Sequence, residues 1–319
     1  MLEAADLAFV NAWQRSFPLC RRPFLAMASA EGTSESQVLG RLRALQRQGV
    51  IDRVGPVFRP NVVGASTLAA MAVPPERLEA VAAQVSAQPG VNHNYEREHR
   101  FNLWFVATGA SKTEVRQSIV AIEQATGLPV LTLPLLEEFH IDLGFDLDTN
   151  AAPRGAPTVQ RQPLNAKEKR LVACVSAGLP LVSEPYAEVA AGADLAEQEA
   201  LALLKAMLDD GRIRRIGAVI RHRRLGYTAN AMVVWDVPDS EASALGRRLS
   251  TDDAVTLCYR RARAVPHWRY NLYCMVHGRQ REKVLQDVER ISATHGLLAY
   301  AREVLFSARC FSQRAARYG

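Results

Sequence analysis

Apolar residues recur along this chain with helical spacing in some stretches and with alternation or short runs in others, and the two patterns follow each other in a fixed order. Leu2, Leu7, Val10 and Trp13 share one side of a helix predicted over residues 2–16. Pro23 suits the first position of a short helix reaching Ala30. Thr33-Ser34-Glu35-Ser36 reads as a cap, and Val38, Leu42 and Leu45 mark a third helix that stops at Gly49. A β-rich stretch, 50–59, comes next. An apolar strand over 67–73 precedes a helix opened by Pro74-Pro75 that runs to about Ser86. Strands near 91–99 and 102–108, a helix over 111–126 and a strand over 129–140 complete the series.

The series then starts again. Asn165 and Glu168 form a capping-box pair for a helix to about Ser176. Helices over 186–191 and 195–210, a wing over 212–221 and a strand over 229–237 follow. A helix to about Ser250, strands at 255–263 and 270–277, a helix at 280–295 and a strand at 297–311 close the second round. Short motifs repeat at matching places. Arg53-Val-Gly-Pro-Val-Phe-Arg59 matches Arg215-Ile-Gly-Ala-Val-Ile-Arg221, and Tyr95-Glu-Arg97 matches Tyr259-Arg-Arg261. Asn102-Leu-Trp104 matches Asn271-Leu-Tyr273, with an insertion before it in the second copy. One unit of about 150 residues, a common domain-scale length, is therefore fused to a copy of itself.

Three helices and a wing make a winged helix-turn-helix, and β-α-β-β-α-β is the ferredoxin-like order. The fold expected is α+β: a tandem duplication of winged helix-turn-helix plus ferredoxin-like domain, forming an internal pseudo-dimer. The boundaries are 1–64 and 65–145 for the first copy, a Pro- and Ala-rich linker at 146–163, then 164–226 and 227–319. This plan resembles that of the Lrp/AsnC-type regulators, in which ferredoxin-like sheets pack face to face across a two-fold axis.

Composition narrows the function. Five scattered cysteines without a CxxC pair argue against a disulfide framework or zinc site and suit a reducing cytoplasm. The N-terminal residues carry no export pattern, and no apolar run is long enough to span a membrane. A net charge of +6 favours an anionic partner. DNA is an unpromising one. Arg41, Arg43 and Arg47 decorate the first recognition helix, but the second carries Glu197, Glu199, Asp209 and Asp210 against Lys205.

The chemistry-bearing residues gather on one sheet face. Alternation puts His93, Tyr95, Arg97 and His99 together, and Leu257, Tyr259, Arg261 and Arg263 on the matching face of the second copy. The next strands add Asn102 and Trp104, or Asn271, Tyr273, Met275 and His277. Arg100 and His267 lie in the loops before those strands, with His267 inside the insertion; His222 follows the second wing. His140 and His295 read as structural. Such a face suits the lining of a pocket for something anionic, flat and partly apolar. No phosphate-binding glycine loop, GxSxG elbow, haem-attachment motif or HExxH spacing is present.

The run His93-Asn-Tyr-Glu-Arg97-Glu-His99-Arg-Phe-Asn-Leu-Trp-Phe105 resembles the signature of siroheme decarboxylases. So do Leu257-Cys-Tyr-Arg-Arg261-Ala-Arg263, Tyr270-Asn-Leu-Tyr-Cys-Met-Val-His-Gly278, and Arg215-Ile-Gly-Ala-Val with Leu225-Gly226-Tyr227. The chain is similar to both subunits of such an enzyme fused, of the kind serving haem d1 synthesis. The resemblance implies a cytoplasmic carboxy-lyase removing two acetate carboxyls from siroheme to give 12,18-didecarboxysiroheme. It implies no cofactor beyond the iron that siroheme carries, and siroheme and related decarboxylase subunits as partners. The internal pseudo-dimer remains open to further dimerisation. In that reading His99, His93 and then His267 are the proton donors, or one of them ligates the substrate iron. Tyr95, Arg97, Arg100, Asn102, Trp104, His222, Tyr259, Arg261, Arg263, Asn271 and His277 hold the substrate. Pro60-Asn61 against His222-Arg223 means the two copies cannot bind it identically. A transcriptional regulator and a non-catalytic haem sensor are the alternative functions for this plan.

Overall fold

The computed structural model describes residues 3–141, Gly144 and 164–316, so the linker expected at 146–163 lies outside the described residues. The first copy runs α1 (Ala4–Trp13), α2 (Pro23–Glu31), α3 (Glu35–Arg47), β1 (Ile51–Phe58), β2 (Ala65–Met71), α4 (Leu78–Ala87), β3 (Val91–Arg97), β4 (Leu103–Gly109), α5 (Lys112–Thr126) and β5 (Leu131–Ile141). The second repeats it as α6 (Ala166–Val175), α7 (Pro185–Gly192), α8 (Glu197–Asp209), β6 (Ile213–Ile220), β7 (Ala229–Trp235), α9 (Asp239–Leu249), β8 (Val255–Arg261), β9 (Leu272–Gly278), α10 (Arg281–Thr294) and β10 (Arg302–Gln313). The duplicated α+β plan is the one the sequence predicts. Local chemistry sets the ends. Ser34 with Gln37 and Asn165 with Glu168 close reciprocal capping boxes on α3 and α6, and Gly127 ends α5 in the left-handed region.

The chain divides into two compact units, and each takes a share of both copies. One unit spans Met1–Ala65 and Gly155–Leu225 and holds the six helices of the winged-helix modules. Each wing differs from the sequence expectation in one respect. It contributes one strand to this unit, and that strand pairs with the other copy's. β1 and β6 run antiparallel with Gly55 opposite Gly217. Gly217 has no room for a side chain, because a Cβ there would meet the backbone oxygens of Gln14 and Trp13 at the end of α1. Two of the three supposed recognition-helix cations are engaged inside this unit. Arg41 pairs with Asp6 at 2.6 Å, and Arg43 donates to the Leu181 carbonyl at 2.6 Å.

The other unit, Ser66–Arg154 and Gly226–Arg314, holds both ferredoxin-like modules. Their sheets pack face to face through a shared apolar cluster, as the resemblance to Lrp/AsnC-type regulators suggested, and their edges join as well. The eight strands close into one barrel in the order β10-β3-β4-β2-β5-β8-β9-β7. The cause is the length of the two last strands. β5 pairs with β2 through Leu131–Pro134 and then with β8 through Leu135–Ile141. β10 pairs with β7 through Arg302–Phe306 and with β3 from Ser307 to Gln313. Each copy therefore covers the open edge of the other, which an isolated sheet would leave with unpaired backbone groups. Outside the barrel, α9 and α10 bury Leu245, Leu249, Val284, Val288 and Ile291 against Val233, Trp235 and Cys274.

Gly217→Ala should destabilise the winged-helix unit by roughly 2–3 kcal/mol, because a rigid backbone, not a flexible side chain, occupies the space. The shift of a urea-denaturation midpoint measures it; an unchanged midpoint would mean that α1 and the ribbon can separate freely.

Candidate active site

The strand registers place the predicted face inside the barrel. Tyr95 lies opposite Trp104, and Tyr259 opposite Tyr273. The middle of that interior is filled. Leu68, Trp104, Leu133, Met232, Tyr259, Tyr273, Met275 and Leu305 form one buried cluster. Two cations sit in the cluster's margin with matching roles. Arg97 donates to the Leu305 carbonyl at 3.0 Å, and Arg261 to the Leu133 carbonyl at 2.8 Å. Each guanidinium thus clips its own strand to the last strand of the other copy. Arg261 also lies over the Tyr259 ring at 4.6 Å. Trp104 is fully buried and donates its indole N–H to the Phe101 carbonyl.

At one end of the barrel stand the loops 98–102 and 262–271. The amide of Asn102 bridges the backbone N–H and carbonyl of Val73, and Asn271 does the same at Val237. Arg263 pairs with Asp236 at 2.8 Å and Asp239 at 2.7 Å. Asn102, Asn271 and Arg263, expected to hold a ligand, make these framework contacts. These contacts tie the loops to the ends of the first strands.

His99 belongs to this end. Its Nδ1 accepts from the Phe101 N–H at 2.9 Å, and its Nε2 lies 2.7 Å from Glu303. Glu303 in turn accepts the Tyr270 hydroxyl at 2.7 Å. Bonds of this sense select the neutral Nε2–H tautomer. Burial lowers the His99 pKa from its ordinary value, opposed by the Glu303 charge and helped by Arg100. The inserted loop seals the network. Trp268 is buried edge-on to His99 at 5.4 Å and donates to the Tyr273 hydroxyl at 2.6 Å. Arg100 donates to the His267 carbonyl at 2.6 Å, while the His267 ring is exposed. Glu303 was not singled out in the sequence, and Tyr270 only as the first residue of the run to Gly278.

The opposite end presents a different set. His93 and Tyr95 stack nearly parallel, their ring centres 6.2 Å apart, and the Tyr95 hydroxyl reaches Gln313 at 3.4 Å. Cys310 lies opposite Tyr95, and Gln313 opposite His93. On β9, His277 points its Nδ1 at the Thr256 hydroxyl, 2.7 Å away, which itself donates to the Met275 carbonyl. His93 lies near the start of β3, and His99 lies in the bend that follows its end at Arg97. His222 lies in the winged-helix unit, where it is buried with Arg215 nearby. Among the described residues no group of His, Cys, Asp and Glu forms a metal site, and no helix is long and apolar enough to cross a membrane.

Known proteins match both units. An AsnC-like ligand-binding domain covers residues 63–140 and 224–312, and a siroheme decarboxylase NirDL-like HTH domain covers 6–51 and 168–214. The siroheme decarboxylase NirDL subunit of Paracoccus denitrificans is 42% identical over 320 residues, spanning 99% of this chain and 97% of that one. The NirD subunit of Stutzerimonas stutzeri is 49% identical over 146 residues, 46% of this chain and 96% of its own. A crystal structure of the siroheme decarboxylase NirDL with an iron-uroporphyrin III analogue shares 30% identity at a TM-score of 0.68, covering 98% of this chain and 93% of that one.

Buried His222 and half-buried His99 set an acid limit. Burial, with the Arg215 charge adding to it, takes His222 from 6.5 to about 4, and His99 is lowered in the same sense. Depressed folded values mean that the stability from neutral rings is complete above about pH 6.5 and is lost as pH falls through the folded values. Melting temperature should therefore drop between about pH 6.5 and 4, and His222→Gln should flatten that drop. An identical pH slope in the variant would contradict the assignment.

Proposed function

The chain belongs to the siroheme decarboxylase family, and from that membership we propose that it converts siroheme to 12,18-didecarboxysiroheme on the way to haem d1. It is a carboxy-lyase. Two acetate side chains of the macrocycle each lose carbon dioxide and become methyl groups. In each step the bond from the acetate methylene carbon to its carboxyl breaks. Its electron pair stays on that carbon and spreads into the ring, and a proton from the protein completes the methyl group.

The observation that carries the assignment of residues is the His93–Tyr95 stack at the barrel end away from the inserted loop. An imidazole beside an aromatic flank suits a flat ring with acidic arms. His93 is the proton donor in this reading, and it regains its proton from solvent between turnovers. Tyr95 lines the ring, with Gln313 on the neighbouring strand β10. His99 takes a positioning role instead of the leading one expected from sequence, because both of its nitrogens are already engaged. Arg97 and Arg261 act by holding the two copies' strands together, so that the polar end keeps its shape. The ring iron belongs to the substrate, and the described residues hold no metal cluster of their own. The two fused copies stand in for the separate related subunits found elsewhere in the family.

Anaerobic incubation with siroheme followed by mass spectrometry tests the reaction. The product should be lighter by two carbon dioxide units, whereas an unchanged ring would make the protein a carrier or sensor. His93→Ala should lower the single-turnover rate by about 10²–10⁴-fold with siroheme affinity changed far less, the usual range for loss of a positioned general acid. A near-normal rate would remove His93 from the chemistry.

A further inference from the structure

At each barrel seam one copy's second strand meets the other copy's last strand, and the two seams match closely in backbone. The β3–β10 seam slips between Ser307 and Arg309 and again between Cys310 and Ser312. The β5–β8 seam slips between Leu135 and Glu137 and again between Glu138 and His140. Both carry the arginine clip, Arg97 to the Leu305 carbonyl and Arg261 to the Leu133 carbonyl. Repeated slips in so short a ladder weaken the hold of backbone pairing on register, so side chains at the seam's ends share that task.

One seam shows a side chain suited to it. Beyond the end of β3, His99 Nε2 lies 2.7 Å from Glu303, near the start of β10 in the other copy. The second oxygen of Glu303 accepts the Tyr270 hydroxyl of the inserted loop, also at 2.7 Å. His99 is fixed from its other side as well, because the Phe101 N–H donates to Nδ1. One carboxylate thus joins the bend after β3, the inserted loop and β10. Side-chain exposures of 15% for His99 and 37% for Glu303 leave this contact partly shielded from solvent. The neighbouring Glu98–Arg281 pair is 48% exposed on each side and holds the seam less firmly. The matching place of the other seam is built differently. Leu131 stands where Glu303 does, and Arg263, in the place of His99, turns to Asp236 and Asp239 of its own copy.

The seam with the Glu303 bond is the one that carries the proposed chemistry. From Glu303, β10 runs on to pair Ser307 with Arg97, Cys310 with Tyr95 and Gln313 with His93. Gln313 accepts the Tyr95 hydroxyl at 3.4 Å. A slip of β10 by one residue would turn Gln313 to the opposite face. We infer that Glu303, oriented by Tyr270, is a positioning residue for decarboxylation. By holding His99 it fixes β3 against β10, and so sets where His93 and Tyr95 meet the ring. This inference rests on the function proposed above.

Variants of the full chain test it: Glu303→Leu, which copies Leu131, Glu303→Gln, which keeps a carbonyl oxygen for His99, and Tyr270→Phe. Single-turnover decarboxylation of siroheme and Soret titration with iron-uroporphyrin III are measured side by side. Glu303→Leu should slow the single turnover about tenfold or more, as when reacting groups are held slightly out of place, with affinity within about twofold of the parent. Glu303→Gln should recover most of the lost rate, and Tyr270→Phe should lose rate in the same direction by less. A role in stability alone would lower the melting temperature and leave the rate per folded molecule at the parent's value; that result would overturn the inference. So would equal rate losses in Glu303→Leu and Glu303→Gln. If Glu303→Leu does not fold, Tyr270→Phe decides: a parental rate in that variant sinks the inference. When the parent decarboxylates siroheme and only these rates fail to move, this inference alone falls. A parent that leaves siroheme unchanged would remove the functional reading and this inference with it.

Discussion

The structure depends on one constraint: a strand edge cannot be left open, and each copy closes the edge that the other exposes. β5 and β10 are long enough to pair twice, first within their own copy and then with the neighbour's second strand. The same exchange occurs in the winged-helix unit, where β1 and β6 pair with each other across the copies. Backbone hydrogen bonding therefore makes the duplication interdependent, because unpaired edges are costly in water and prone to wrong pairing. Arg97 and Arg261 reinforce it at two equivalent points, each joining a second strand to the other copy's last strand.

On this near-symmetric frame the informative positions are those where the copies disagree. His93 lies where the second copy has Leu257, and His99 where it has Arg263. Glu303, which anchors His99, occupies the position that Leu131 holds in the first copy. The inserted loop brings Trp268 and Tyr270 to one copy's side only. Asp52 against Arg214 is the same kind of difference in the other unit. A packed interior is expensive to vary, whereas a barrel end or a ribbon end tolerates a changed charge, so asymmetry collects there.

Much of this was legible in the sequence. Helical and alternating periods located nearly every element, since each buries one face, and the Asn165–Glu168 and Ser34 caps were readable because capping is local chemistry. Alternation also sorted His93, Tyr95 and Arg97 from Asn92, Asn94 and Glu96 correctly. It could not say that the face they share closes over a filled interior, because that depends on which edges pair at long range. Glu303 and Tyr270 escaped for a related reason. They lie far along the chain from His99, and nothing about a glutamate at the start of a strand marks it as a histidine's partner. The backbone bridges of Asn102 and Asn271 were not legible, because an amide repeated in both copies suits a ligand and a backbone bridge equally well, and the bridge is visible only once Val73 and Val237 are beside them.

The central claim is that chemistry takes place at the barrel end carrying His93 and Tyr95, on a frame whose middle is closed. A crystal structure of this chain with iron-uroporphyrin III bound tests that most directly. The account predicts ring density against the His93–Tyr95 stack, with the Leu68, Trp104 and Tyr273 cluster unchanged. Density against His99 and Glu303 instead, or a ring lodged among the barrel's apolar side chains, would contradict it.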